Sequence, residues 1–596
     1  MADPKDFFLA AITGSYPDLR KALNTATTIE RLIDNQNVYK AQEEAILAAT
    51  DTILFITWSF GPTMPVQSDK AKRVAPTWGE LLLAAASHAS VRILMTDQEP
   101  IFQTAAHMAA WSAYRLLVTA AHNKGIDQAD FQVAVARHPA DWPLGTVTGA
   151  AAQARLNDIL DNVKAAKANK DPKDKAHVLA LFQNLPGLWG LVDPAAATAL
   201  NQPTAAIPGT HHAKVLIIDE KIAFVGGNNH ITINIDNQKH DMPAATNYQW
   251  HDGAVRVEGK IVADIVDLAF RMWNEFHPKA KKFVTDANKL AASGVNPLPT
   301  SATTDISVAG PPGKAPGGGS IRAQVWRTVC SAITNDQPVT DRKDISDGYI
   351  KAIGLAEKFI YIENQYLRDD GMAKALINRF QALKAKKPPV DLNVIILLPG
   401  IAEEVILAQA KGGQPDAITM QGVNLQHDII DQLQKAFGAS LGVFSPMATG
   451  RTRSFTDPQT NKTTTTKKVI YVHTKLMIID DVFATLGSAN ANPRGFQLDT
   501  EMNLAWFDPA SVRGLRNELW REMLGPGTGA DSWAPKQYVA KWSKIAAANA
   551  KLTGTTGWQG FIVPFDNSTS FLPVGLFIPD WLTFSEPRDD DGNRIA

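Results

Sequence analysis

The chain has 596 residues, with 59 Lys and Arg against 60 Asp and Glu, giving a formal net charge of −1. That balance excludes a global basic field that would recruit nucleic acid. A hydrophobic share of 45% and a charged share of 20% suit a globular protein with room for two or three domains, and the single cysteine, Cys330, excludes an intramolecular disulfide and a multi-cysteine metal site. The opening residues, MADPKDFFLAAITGSYPDLRKALN, lack the basic start and apolar run of a secretory signal. No apolar stretch of about 18 residues or more predicts a membrane-spanning helix.

Residues 38–60 predict a helix and then a buried strand. Apolar positions recur at helical spacing and then run continuously with β-branched residues. A helix around 81–86 and a strand VRILMTD follow. Residues 141–210 carry helical patterns and a charged loop, KANKDPKDK, and read as a surface insertion or as a lid. Next comes HHAKVLIIDEKIAFVGGNN, from His211 to Asn229. Alternate strand residues share a face, so His212 and Lys214 project together and His211 faces the other way as a structural residue. Asp219 falls at the turn ending the strand. A second strand ends in Gly226-Gly227-Asn228-Asn229, where small residues admit a ligand close to the backbone. The segment WHDGAVRVEG then leads into a helix containing FRMWNEF.

Residues 293–320 are rich in Pro, Gly, Ser and Thr and predict a linker. Beyond it the same order returns. DGYIKAIGLAEKFIYIENQYL gives helix and strand, a helix around 375–383 and LNVIILLP follow, and VHTKLMIIDDVFATLGSANAN supplies His473, Lys475, Asp480, Ser488 and Asn490. LDTEMNLAWFD leads into a helix containing NELWREM. Two α/β halves are expected, residues 1–292 and 321–596, each with a mixed sheet covered by helices. The apolar but proline-broken stretch GFIVPFDNSTSFLPVGLFIPDWL predicts core or sheet-edge packing.

A phosphodiester is anionic and resists attack by water. Two lysines and two small-residue turns can neutralise and orient its oxygens. One histidine cannot conveniently attack phosphorus and also protonate the opposite leaving group; two can, one on each side. A nucleophilic histidine needs its tautomer fixed. Asp252 and Glu501 sit at matching places in the repeat and are expected to accept from the far ring nitrogens of the two histidines. His251 has no assigned role at this level, and no metal-ligand cluster is evident.

Both copies read H-x-K-x4-D followed by Gly-Gly/Ser-x-Asn, which resembles the HKD motif of the phospholipase D superfamily. IYIENQYL resembles the Ile-Glu-Asn-Gln-Tyr-Phe motif of eukaryotic-type members, with Leu367 for the last aromatic. GSANANPRGFQLDTE resembles the segment after their second motif, with Gly495 for the usual serine. The resemblance covers most of residues 38–525 and implies two homologous α/β sandwich halves with one active site at their interface. It implies His212, Lys214, Asp219, His473, Lys475 and Asp480 as the catalytic set, with both aspartates bracing the motif rather than reacting. Lys214, Lys475, Asn229, Asn490 and Ser488 would cradle phosphate. Asp252, Glu501, Glu363, Asn364 and Gln365 would support.

The implied activity is hydrolysis of glycerophospholipids to phosphatidic acid and a head-group alcohol through a phosphohistidine on His212, with His473 as general acid. A primary alcohol replacing water gives transphosphatidylation. No cofactor is required, calcium assisting only at membrane surfaces. Partners would be a phospholipid surface, not nucleic acid. Location would be the cytoplasm, or outside it by export without a cleavable signal, as for a bacterial antibacterial or host-directed effector with a secretion or immunity partner. The alternatives are a nuclease or other phosphodiesterase, a cardiolipin-synthase-like transferase, and an inactive lipid-binding module.

Overall fold

The computed structural model describes residues 3–143, 152–161, 164, 182–193, 198–199, 204–242, 249–291, 295–307, 319–335, 337–400, 405, 417–456, 463–552, 554 and 556–567. Two mixed sheets repeat one plan. The first runs Thr28–Ile33, Gly253–Glu258, Ile222–Gly226, Val215–Ile218, Thr52–Thr57, Ser90–Asp97, Phe131–Arg137. The second, a 12-stranded sheet, contains a matching run of seven, Ile321–Thr334, Glu501–Phe507, Phe483–Gly487, Leu476–Ile479, Phe359–Glu363, Asn393–Leu397, Leu441–Thr456. In both runs of seven, the last three strands are parallel and the remaining pairings antiparallel. The repetition visible in the sequence is therefore a repetition of topology.

Continuous apolar runs are what these strands need, because both faces are covered. Leu54, Ile56, Val215 and Ile217 enter one core together with Leu476 and Ile478 of the second sheet. Their neighbours Ile53, Phe55, Leu216 and Ile218 face a second core, which also takes in residues of the helices Asn35–Leu47, Trp78–Ala85 and Thr104–Asn123. Met477 and Ile479 face a third, with residues of Asp344–Ile353, Asp370–Lys384 and Ala417–Phe437. The helices Ile261–Lys289 and Pro509–Leu524, which carry FRMWNEF and NELWREM, both contribute to the shared core.

The boundary between halves departs from the sequence reading in two places. Residues 3–26 go with the second sheet: Asn24–Ala26 pairs with Ile321–Thr334, and Phe7 stacks on Phe483 with ring centroids 4.9 Å apart. Residues 295–307, expected to be linker, lie along the first half instead. Phe131–Arg137 is the last strand of its sheet and needs partners for its outer backbone groups. Ser301 Oγ accepts from Val133 N at 3.0 Å, and Trp273 Nε1 donates to Thr304 O at 2.9 Å.

The first half also lends Gln249–His251 to the second sheet, where it pairs parallel with Thr463–Val472. Within the insertion, Ala152, Leu156, Leu160, Phe182, Leu185 and Leu188 make a small core of their own with Ile101; the charged loop at 167–175 lies outside the described residues. Ile562–Pro564 pairs antiparallel with Phe444–Pro446, so the described part of the C-terminal apolar stretch packs on a strand, and residues 568–596 lie outside the described ones.

Candidate active site

The His-x-Lys residues do not sit inside their strands. The strands begin at Val215 and Leu476, because the backbone just before each one bonds to the other half. Ala213 N donates to Thr500 O at 2.8 Å, and Thr500 N donates to Thr210 O at 2.9 Å. In mirror fashion His473 N donates to His251 O at 2.7 Å. Each histidine segment is thus stitched to the residue that precedes the other half's carboxylate. Asp499 reinforces the first stitch. It accepts from Thr210 N and Oγ1 at 2.9 and 3.1 Å and is gripped by Arg494 through two bonds of 3.0 and 2.6 Å.

The carboxylates reach across accordingly. His212 Nδ1 lies 2.7 Å from Glu501 Oε1, and His473 Nδ1 lies 2.7 Å from Asp252 Oδ2. An ionised carboxylate can only accept, so each holds its imidazole with the proton on Nδ1. The motif glycines make room for this. A Cβ on Gly227 would come within 2.5 Å of Asp252 Oδ1 and 3.0 Å of His473 O. In the second half the matching residue is Ser488, whose Oγ donates to Glu501 Oε2 at 2.5 Å and accepts from Met502 N at 3.0 Å. Ser488 therefore holds Glu501, and its expected place in a phosphate cradle is corrected, since its one hydrogen is already committed.

Both lysines are buried and donate to their own histidine's carbonyl, Lys214 to His212 O at 2.7 Å and Lys475 to His473 O. Burial, then the charges of Lys475 and Lys214, lower His473 to about 3, against the pull of Asp252. Burial, Lys214, Lys475 and Arg494 hold His212 well below its ordinary value, with Asp499 opposing. Burial pushes Glu501 up to about 7, opposed by Lys214, the Ser488 hydroxyl, Lys475 and Arg494. Burial lowers Lys475 to about 8 against Asp252 and Glu501, and lowers Lys214 well below its ordinary value. Two neutral imidazoles and two easily recharged lysines are poised for an anionic ligand, whose arrival favours every cationic form in the site.

Asp219 and Asp480, expected to brace the motif rather than react, stand at the opposite end of their strands. Asp219 accepts from the backbone of Thr50, Asp51 and Thr52, and Asp480 from that of Glu357, Lys358 and Phe359. Asn229 and Asn490 are buried at the ends of the motif turns, each with an amide oxygen lacking a hydrogen-bond partner. Gln365 Oε1 accepts from Lys475 Nζ at 3.4 Å, and its amide donates to Tyr366 and Tyr471 hydroxyls, both at 3.1 Å. Asn364 Oδ1 accepts from Ala491 N at 3.0 Å, bracing the turn. Glu363 faces His251 Nε2 at 3.1 Å and accepts from Tyr361 OH at 2.5 Å. His211 is structural, its Nε2 lying 3.1 Å from Arg137 O.

Two tryptophans escaped the sequence reading. Trp58 meets the His212 ring edge-on with centroids 5.5 Å apart, with Lys214 Nζ 5.5 Å from its ring centroid. Trp250 lies 5.0 Å from the His473 ring and stacks on Tyr471. Trp58 had a signal: it follows the strand that repeats as Phe359–Glu363, and the register gives it the place of Gln365. Gly495, standing for the expected serine, is explained by space, because a Cβ there would collide with the carbonyl of Asn490.

The family model for a cardiolipin synthase, PLD-like domain matches residues 349–523. Phospholipase D alpha 1 of Ricinus communis is 24% identical, over 53% of this chain and 49% of its own length. Phospholipase D alpha 2 of Arabidopsis thaliana is 22% identical over the same shares. The chain thus spans about half the length of the curated relatives it matches. The crystal structure of a phosphatidylserine synthase from Haemophilus influenzae Rd KW20 covers 88% of this chain and 95% of its own, with a TM-score of 0.44 and 12% identity. Two HKD motifs thus converge on one site, and the chain is similar to members of the phospholipase D superfamily in its matched PLD-like domain and in its likeness to the phospholipase D alpha proteins.

Proposed function

We propose that the protein cleaves the bond between phosphorus and the head-group oxygen of a glycerophospholipid, at the surface of a bilayer. The observation that carries this reading is the crossed pairing of each histidine with the other half's carboxylate. With Nδ1 occupied in both rings, Nε2 is the reacting nitrogen of each. Binding of the anionic phosphate favours uptake of a proton on His473 Nε2; His212 Nε2 then attacks phosphorus, the bond to the head-group oxygen breaks, and that Nε2–H protonates the departing alkoxide. Water then attacks the phosphohistidine and gives its proton to His473; the P–N bond breaks and phosphatidate leaves. Burial and the charges of Lys214 and Lys475 disfavour the cation at both histidines; at His473 the charge and hydrogen bond of Asp252 oppose them, while at His212 Asp499 opposes them and Arg494 adds to them. That difference supports His473 as proton carrier and His212 as nucleophile.

The match to a cardiolipin synthase domain model favours a second outcome at the same intermediate, in which an alcohol replaces water. Product analysis separates the two. A phospholipid panel is incubated with enzyme alone, with ethanol and with phosphatidylglycerol. Phosphatidic acid alone supports hydrolysis, phosphatidylethanol shows that alcohols reach the intermediate, and cardiolipin only in the last arm supports the synthase reading. Diacylglycerol would place cleavage on the other side of phosphorus and overturn the proposal.

A further inference from the structure

Behind His473 lies a second group of ionisable side chains that the proposed reaction does not use. His251, Asp34, His240 and Glu522 are all buried, and each offers one oxygen or nitrogen, all within 4.8 Å of one another. His251 Nδ1 lies 2.9 Å from both Asp34 Oδ1 and Glu522 Oε1, and His240 Nε2 lies 3.2 Å from the same Glu522 oxygen. Proton sharing does not satisfy this arrangement. One Nδ1 hydrogen faces two carboxylates, while Asp34 Oδ2 and Glu522 Oε2 are buried with no donor. No lysine or arginine pairs with either carboxylate among the described residues.

The far side of each imidazole is an independent observation. His240 Nδ1 lies 2.9 Å from Asp236 Oδ2, and His251 Nε2 lies 3.1 Å from Glu363 Oε2. A carboxylate on the outer nitrogen, fixing the ring and raising its basicity, is the usual setting of a histidine that ligates metal. Asp236 is itself fixed by Trp250 N at 2.9 Å, and Glu363 by Tyr361. Two imidazole nitrogens and two carboxylates suit tetrahedral zinc, whose ligand atoms lie about 3.3 Å apart at bond lengths of about 2.0–2.1 Å; the contacts of 2.9, 2.9 and 3.2 Å fall a little short of that spacing, and all four atoms lie within 4.8 Å of one another.

We propose that Asp34, His240, His251 and Glu522 form a buried site for a zinc-type divalent cation that clamps the two halves together. Asp34, His240 and His251 come from the first half, and Glu522 from the helix Pro509–Leu524 of the second. Because His251 O holds His473 N, the clamp also fixes the segment that carries His473. The sequence reading that found no ligand cluster is revised here: no pair of the four has a recognisable ligand spacing, and only the fold assembles them.

The test uses the full chain without a polyhistidine tag. Protein is unfolded with a chelator, refolded with zinc sulfate, freed of loose metal by passage through EDTA, and assayed by mass spectrometry for metal. About one zinc per chain is expected. His212→Ala is expected to keep its zinc, while His240→Asn and Glu522→Gln lose most of it. Refolding wild type with cobalt sulfate gives a readout that needs no variant, since tetrahedral cobalt absorbs in the visible. Less than about a tenth of an equivalent in both wild-type preparations, or zinc that leaves with His212→Ala and stays in His240→Asn, overturns the proposal.

Discussion

Glu501 lies 2.7 Å from the Nδ1 of His212, a residue of the opposite half. Neither half therefore owns a finished histidine. Glu501→Gln and Asp252→Asn should each lower kcat on a soluble short-chain substrate by about 10- to 100-fold, with circular dichroism unchanged. The amide can still fill the space but can hold the wrong tautomer. Full activity in both variants would remove the crossed pairing from the mechanism.

The two histidines should separate by leaving group. His473→Ala is expected to lose turnover of ordinary phospholipids yet form a phosphohistidine from a p-nitrophenyl phosphodiester, whose leaving group departs as an anion. His212→Ala should form no adduct. Rapid quench and mass spectrometry locate the phosphorylated residue, and an adduct on His473 would exchange the roles.

The dependence of kcat/KM on pH follows from Glu501 and Lys475. Glu501 titrates near 7 in the folded protein and works as the acceptor only when ionised, so activity falls as pH drops through that value. Lys475 titrates near 8 and works as a cation, so activity falls as pH rises through it. A bell with limbs about one unit apart is expected, and Glu501→Gln should erase the acidic limb. An acidic limb that persists in Glu501→Gln belongs to another group.

Gly495 and Gly227 give predictions about space. Gly495→Ser should cost about 1–3 kcal/mol of stability, as overpacking does, because its Cβ meets the backbone of Asn490. Gly227→Ala should instead strike activity first, since its Cβ presses on Asp252 and the carbonyl of His473. Thermal unfolding and turnover measured side by side would show the two losses in opposite proportion.

The repeated order of elements and the motif histidines were legible because each rests on local pattern: continuous apolar runs, helical spacing, and His-x-Lys beside a buried strand. Asp252 and Glu501 were legible from their matching positions, but not the direction in which they reach, which depends on Thr500 and His251 docking across the halves. Ser488 was misassigned because a hydroxyl beside a motif looks free until Glu501 is placed against it. Trp250 contacts His473 only after its strand joins the other sheet. The group around His251 draws on residues from position 34 to position 522, a set that no window along the chain contains.

The strand Gln249–His251, lent by the first half to the second sheet, sets an order in time. On the ribosome the first half emerges with this strand unpaired and with His212 lacking Glu501. Its parallel partner arrives only with residues 463–472, and the carboxylate for His212 follows nearly thirty residues later. A nascent or truncated chain ending before Glu501 holds His212 without its tautomer fixed, and one ending before residue 473 lacks His473 as well. The crossed pairs of histidine and carboxylate therefore exist only once residues of both halves are present.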